Sequence, residues 1–553
     1  MLRTAASIGM ALLVAGAASA AQSPSAPTAN AKPSAELRGR VTDAESGRPL
    51  RHAIVRLASS NPGPARESRA AATDDSGRYA FKGLPAGRYS VSADKGGYVQ
   101  LSYGQTRPFE PGKPIEVLDG QTVERVDFSL PRGGTITGRV VDEYGEPVPN
   151  LFVQVHRYQF VQGQRRLSSA GRQATTDDGG DYRIYGLPPA QYFVSARGSA
   201  LTPFVSAAED RSGYAQTFFP AAPSPAEAQR VAVGAGQSVF DVNIEVREAR
   251  TARVSGIAID SQGKPMNGGI VSIGMPSGGS AGGRLRVDGT FELSNLFPGT
   301  YSIRAQGASI STAGAAAETA SATITVTDDD IDDLQLAAQP PATILGRIVL
   351  ESALESTVKP AQFRIGAVAL DSGSLPGGGS MSTSPHDDFT FELKTGPGRQ
   401  TFRVFAMPPG YVLKAVRLDG SDITDSGVSI ASNEEIRGIE IEVTTHPATV
   451  SGLVTDGRGD AARDYTAIIF GRDEQRWTMA GSRWILTARP DQDGRFRVPA
   501  LPAGDYYAAA VDYVESGQWT DPEFLQALRS RATMFSVNDG ESKTINLRIV
   551  QRP

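Results

Sequence analysis

Few residues of this 553-residue chain are arranged for covalent chemistry. Cysteine is absent, which removes any disulfide, thiol nucleophile, thiolate zinc site or cysteine-linked lipid. Gly278-Gly279-Ser280-Ala281-Gly282 satisfies the G-x-S-x-G form of a nucleophile elbow. That elbow works only where a strand runs into it and a helix leaves it. Here the surroundings are rich in Gly and Ser, and no histidine lies between 251 and 340, so the stretch reads as a flexible loop. Asp74-Asp75-Ser76-Gly77 and Asp491-Gln492-Asp493-Gly494 have the partial look of calcium loops. A full loop needs more oxygen ligands and a glutamate at its twelfth position, so both read as turns. Asp328-Asp329-Asp330 with Asp332 and Asp333 is denser, and is either a weak calcium site or a solvated loop. No catalytic residue, metal site or cofactor follows from these groups.

Binding chemistry is better represented. Tyr98, Tyr103, Tyr158, Phe160, Tyr214, Phe218, Phe219, Trp477, Trp484 and Trp519 lie outside the strands predicted below. Flat rings on a surface stack on sugar rings, and exposed apolar patches mark binding. Trp477, Trp484, Trp519, Tyr214 and Phe218 are therefore the candidate glycan contacts. The alternative is that these rings close the ends of domains or pack between them, since aromatic surface is costly to leave in water.

The elements that must position such rings come from a repeat. Residues 73–93 read TDDSGRYAFKGLPAGRYSVSA, and altered forms return at 176–196, 287–305, 387–406 and 490–510. Asp75-Ser76-Gly77 predicts a polar turn. Tyr79 and Phe81 alternate with polar neighbours, as do Tyr89, Val91 and Ala93, so each stretch predicts a half-buried strand. Leu84-Pro85-Ala86-Gly87 between them predicts a tight hairpin turn with Gly87 left-handed. Upstream of each copy stands an opening phrase centred on Gly39, Gly138, Gly256, Gly346 or Gly452. The intervals of 99, 118, 90 and 106 residues are sandwich-sized, with room for about seven short strands per unit. Two stacked sheets are the simplest way to bury their apolar faces.

The whole chain agrees. It is too long for one core. Its formal charge of −5 is near neutral for the size and excludes a basic nucleic-acid footprint. Arg3, the apolar run Ile8 to Gly16 and Ala18-Ser19-Ala20 form a secretory signal, and no later run is apolar enough to span a membrane. The expected layout is a signal peptide at 1–20, a Pro/Ser/Ala spacer at 21–36, and all-β immunoglobulin-like or prealbumin-like sandwiches at 37–131, 132–250, 251–340, 341–446 and 447–553. The fourth copy is the most degenerate. Ser224-Pro225-Ala226-Glu227 predicts a short capped helix, and Asp521-Pro522-Glu523 opens another running to Ala532. Short linkers such as Arg247 to Thr251 suggest a semi-rigid rod.

The motif Φ-x-G-x-V-x-D, then G-x-P, then D-x-G-x-Y/F with L-P-x-G-x-Y resembles the carboxypeptidase regulatory-like domain, a transthyretin-like fold grouped with Cna-B-type repeats and carbohydrate-binding-like folds. Copies one and two and the hairpin of copy five match well. Copy three has Phe297 where a Pro is usual, and copy four has Thr395-Gly396-Pro397-Gly398 at the turn. In the namesake enzymes the domain accompanies a zinc peptidase that needs a His-x-x-Glu pair. His52, His156, His386 and His446 are followed three residues later by Val55, Gln159, Phe389 and Thr449, so no such pair exists. The resemblance implies a secreted or periplasmic, non-catalytic binding or scaffold protein of bacterial type. Its partners would be a polysaccharide or cell-surface glycan, or other envelope proteins. A purely structural spacer or adhesin-like stalk is the alternative, and a hydrolase hidden in the loops of domains two or five is a third.

Overall fold

The computed structural model describes residues 34–59, 68–161, 164–198, 212–274, 280–307, 318–350, 358–370, 382–479 and 481–551. The signal segment, most of the spacer and Gly278-Gly279 of the elbow pattern lie outside them. Ser280 itself opens a strand, Ser280–Leu285, paired with Gly269–Gly274, so that part of the expected loop belongs to a sheet.

The chain is a tandem array of all-β sandwiches. Five main apolar cores run from Ala35 to Leu130, Ile136 to Val246, Ala252 to Ala338, Ala342 to Val443 and Ala448 to Leu547. Domain one shows the plan, with β1 (Ala35–Asp43), β2 (Ile54–Ser59), β3 (Ser68–Ala72), β4 (Arg78–Leu84), β5 (Gly87–Asp94), β6 (Leu101–Ser102), β7 (Ile115–Val117), β8 (Thr122–Val123) and β9 (Phe128–Leu130). In one sheet β1 is antiparallel to β4 and parallel to β8 and β9. In the other, β2 lies between β3 and β5, and β5 also pairs with β6 and β7. Tyr79 and Phe81 of the first sheet and Tyr89 and Val91 of the second meet in the space between.

That pairing corrects the expected hairpin. β4 and β5 follow one another in sequence but sit in opposite sheets, so Leu84-Pro85-Ala86-Gly87 is an arch that crosses the sandwich. The same division holds in domains two, three and four, while in domain five the two motif strands stay unpaired with each other but Leu547–Val550 joins both halves into one continuous sheet. The left-handed residue is also one place earlier than the arch. Gly83 has φ 63°, and Gly186, Asn295 and Ala500 match it in copies two, three and five. A hydrogen bond across four residues closes each arch. The Tyr89 hydroxyl donates to the Pro85 carbonyl at 2.8 Å, Tyr192 to Pro188 at 2.6 Å, Tyr301 to Phe297 at 2.8 Å and Tyr506 to Pro502 at 2.7 Å. In worn copy four, the Gln400 amide donates to Gly396 at 3.3 Å instead.

The opening glycines are there because the closing segment of each domain presses against the first strand. A Cβ on Gly39 would stand 1.9 Å from the Val126 carbonyl oxygen, and on Gly452 1.7 Å from that of Ile545. Gly138, Gly256 and Gly346 face the same obstruction from the carbonyls of Val242, Leu334 and Ile439 in the closing segments of their domains.

Two further expectations change. Ser224 to Glu227 forms a turn in which the Ser224 hydroxyl meets Glu227, not a helix. The second helix does form, as α1 (Pro522–Arg529), with the Asp521 carboxylate accepting from the Glu523 N–H at 3.1 Å. Among the described residues no helix is long and apolar enough to cross a membrane. Nor is the array a rod, because domain five returns along the molecule to contact both domains one and two.

Candidate functional site at the meeting of three domains

The return is made by a polar junction. Every residue from Thr106 to Glu110 in domain one is held by domain five. The Thr106 hydroxyl donates to Asp464 at 3.0 Å, and Arg107 pairs with Asp512 at 3.1 Å. The Pro108 carbonyl accepts from the Tyr513 hydroxyl at 2.9 Å, and the Phe109 carbonyl from the Ser516 N–H at 2.9 Å. Glu110 accepts from Arg489 at 2.7 Å, with the two side chains 0% and 3% exposed. Arg489 also reaches Asp464 at 2.6 Å, and Lys113 pairs with the same carboxylate at 3.1 Å. Burial pushes the Asp464 carboxyl up, but the Lys113 hydrogen bond and charge, with the Arg489 charge, hold it below its ordinary value.

Domain two joins through one long strand pair, Phe152–Val161 and Gln164–Thr175. Arg157 on the first strand pairs with Glu515 at 3.1 Å, and its guanidinium lies 3.5 Å from the centre of the Phe109 ring. Gly517, at φ 85°, rests on the Phe160 carbonyl, where a Cβ would stand 2.2 Å away.

Between the three domains lies a groove of about 750 Å³. Phe109 of domain one, Tyr158, Phe160 and Phe193 of domain two and Tyr513 of domain five give it aromatic walls. Tyr158 and Phe193 meet edge to face at 5.6 Å. Arg165 lies over Tyr158 at 4.6 Å and Arg230 over Phe193 at 5.6 Å, both exposed and without a carboxylate partner among the described residues. Facing them, Glu515, Asp521 and Glu523 come from domain five and the start of α1. Rings beside guanidinium, carboxylate and amide groups can hold a ligand that offers flat apolar faces edged with hydroxyls.

The rings singled out in the sequence are placed otherwise. Trp477 is 3% exposed, packs on Phe470 at 5.5 Å and donates to the Gly471 carbonyl at 2.7 Å. Trp484 is 8% exposed, stacks on Tyr506 at 5.5 Å and donates to Asp425 of domain four at 2.9 Å. Trp519 packs against the apolar cluster under α1. Tyr214 leans on the core of domain two, and Phe218, 3% exposed, backs Phe193 and Tyr158. As surface platforms Trp477, Trp484 and Phe218 are corrected by their burial, whereas Tyr214 and Trp519 are half-buried. Phe218 does stand behind the Tyr158 and Phe193 wall of the groove. Tyr158 and Phe160 were singled out too, and lie on a strand, not in a loop. Phe109, Phe193, Tyr513 and the arginines were missed. The one signal for them was length, since the strand bearing Tyr158 has 10 residues against 6 for its counterpart β2.

The remaining chemistry is structural. His156 shares a hydrogen bond with Ser195 at 2.8 Å, which resembles a base beside a nucleophile. Both are buried under Phe218, Ser195 also accepts from Gln216 at 3.0 Å, and burial with the nearby Arg197 charge lowers the imidazole to about 4. The pair is a packed polar contact that no substrate can reach without unpacking the domain. The Asp74 and Asp491 carboxylates accept from the N–H groups of their own turns. In the denser acidic cluster, Asp330 accepts from the Arg253 N–H, and Asp332 from Arg253 and Ser255.

Residues 36–131 and 135–247, domains one and two, match the family model of the carboxypeptidase regulatory-like domain. No curated protein matches the chain. Among solved structures, similarity extends to the TIE protein of Bacillus anthracis, with 11% identity over 71% of this chain and 69% of that one and a TM-score of 0.16. A streptococcal ancillary pilin gives 12% identity over 55% and 99%, with a TM-score of 0.21. Two B repeat units of the collagen binding protein of Staphylococcus aureus give 11% over 74% and 99%, with a TM-score of 0.13.

Proposed function

With two carboxypeptidase regulatory-like domains and the fifth sandwich folded about one groove as the premise, we propose that this chain is an exported, non-catalytic binding scaffold that holds a polysaccharide strand where domains one, two and five meet. The observation that carries the reading is the convergence of partly exposed Phe109, Tyr158 and Tyr513 with the carboxylate-free Arg165 and Arg230. Sugar rings present apolar faces to aromatic walls and hydroxyls to charged groups, so this lining suits them. The volume of this open groove falls within the range of ligand clefts.

The test is retention of the purified chain on a polysaccharide panel. Tyr158→Ala and Arg165→Ala should each weaken retention at least tenfold, equivalent to about 1.4 kcal/mol. Trp477→Ala should instead lower the melting temperature. Retention on no polysaccharide, together with capture of an envelope protein, would overturn the reading in favour of a structural stalk.

A further inference from the structure

We propose that Glu110 and Arg489 are positioning residues for the groove, which is assembled only while domain five is seated on Thr106–Glu110, so that ligand occupancy and seating favour each other. The second half of this inference, the mutual dependence, rests on the binding reading above; the first half does not.

No single domain builds the groove alone. Phe109 contributes a ring from domain one, and its backbone sits at φ 61°, a conformation a bulky residue adopts only when its surroundings impose it. Domain five imposes it, through bonds to the residue itself and to both neighbours. The same ring underlies Arg157 of domain two, which in turn pairs with Glu515 of domain five. Unseating domain five therefore releases the loop, removes the acidic wall and frees Arg157 in one movement.

That movement is separate from unfolding. The apolar cores of domains one, two and five are distinct clusters, and the direct bonds between them are polar or ionic. Interfaces of this kind allow relative domain motion. What resists it is the buried pair. Removing one partner of a buried, hydrogen-bonded ion pair leaves an uncompensated charge, whereas replacing both is far less harmful. After loss of Arg489, the Glu110 carboxylate has no buried cation and regains water only by opening the junction. A ligand that touches walls from domains two and five binds the seated form alone, and by linkage pulls the equilibrium toward it.

The natural chain has no cysteine, so Gln100→Cys and Ala527→Cys, both at exposed positions, introduce the only two thiols for spin labels. Pulsed electron resonance on the full chain should give one narrow short distance. Arg489→Met should move most of the population to longer distances while the far-ultraviolet dichroism stays unchanged. Adding Glu110→Gln to Arg489→Met should return much of the short population, a rescue that general damage to the fold would not produce. The polysaccharide best retained by the unmodified chain, among soluble starch, galactomannan and polygalacturonate, should be held at least tenfold less tightly by Arg489→Met and should shorten its distances when bound. An unchanged distance in Arg489→Met, or an open double variant, would overturn the positioning role. Opening without loss of retention would overturn the mutual dependence. Retention of none of the three by the unmodified chain would sink the binding reading and that dependence together, leaving the seating decided by the distances.

Discussion

At the scale of single residues, the chain's chemistry is spent on packing. His156 is the clearest case. Its imidazole is held at about 4 against an ordinary 6.5, so the folded domain keeps it neutral where an unfolded chain would take up a proton. Folding stability from this group is complete above pH 6.5 and falls as the pH drops toward 4. The loss should amount to about 3 kcal/mol across that window, at about 1.4 kcal/mol per pH unit of difference. The urea midpoint of domain two, followed from pH 7 to pH 4, should fall accordingly, and His156→Gln should flatten that window. Single residues were also the most legible part of the sequence. The five opening glycines stood out by spacing, but the reason for them did not, because the carbonyl oxygens that exclude a Cβ come from segments tens of residues away.

At the scale of elements, alternation identified strands and misassigned a partner. Tyr79, Phe81, Tyr89 and Val91 point inward as the period of two requires. Periodicity reports which face is buried, not which neighbour supplies the hydrogen bonds, so arch and hairpin look alike until the sheets are seen. The tyrosine that ends the motif is explained by the arch, since its ring fills the core while its hydroxyl ties down the crossing. Tyr192→Phe keeps the ring and deletes that bond, and should cost domain two about 1 kcal/mol. A lowered melting temperature with unchanged secondary structure is the expected result. The capped α1 was legible because Asp521-Pro522-Glu523 is a local signal; Ser224 to Glu227 carried a similar one, and the following chain leaves instead to pair as Val231–Val233 with Ala190–Tyr192.

At the scale of the whole molecule, the serial array of all-β sandwiches was legible, and the contact that folds it back was not. Glu110 and Arg489 are 379 residues apart, and no local pattern marks either as the other's partner. The rod expected from short linkers fails because linker length limits how far domains separate, not the direction in which the chain turns. The Thr106–Glu110 run, held at every residue by domain five, should resist chymotrypsin after Phe109 in the full chain. In a chain ending at residue 446 that bond should be cut at least tenfold faster, while β1 to β5 stay intact; equal rates would show that domain five does not cover it.

The contact between the first sandwich and the last also constrains how such a protein can evolve. An open string of modules can gain or lose a copy by duplication and merely become longer or shorter. Here a module inserted or deleted between these two would carry Arg489 away from Glu110, so the contact constrains how many repeats can stand between them.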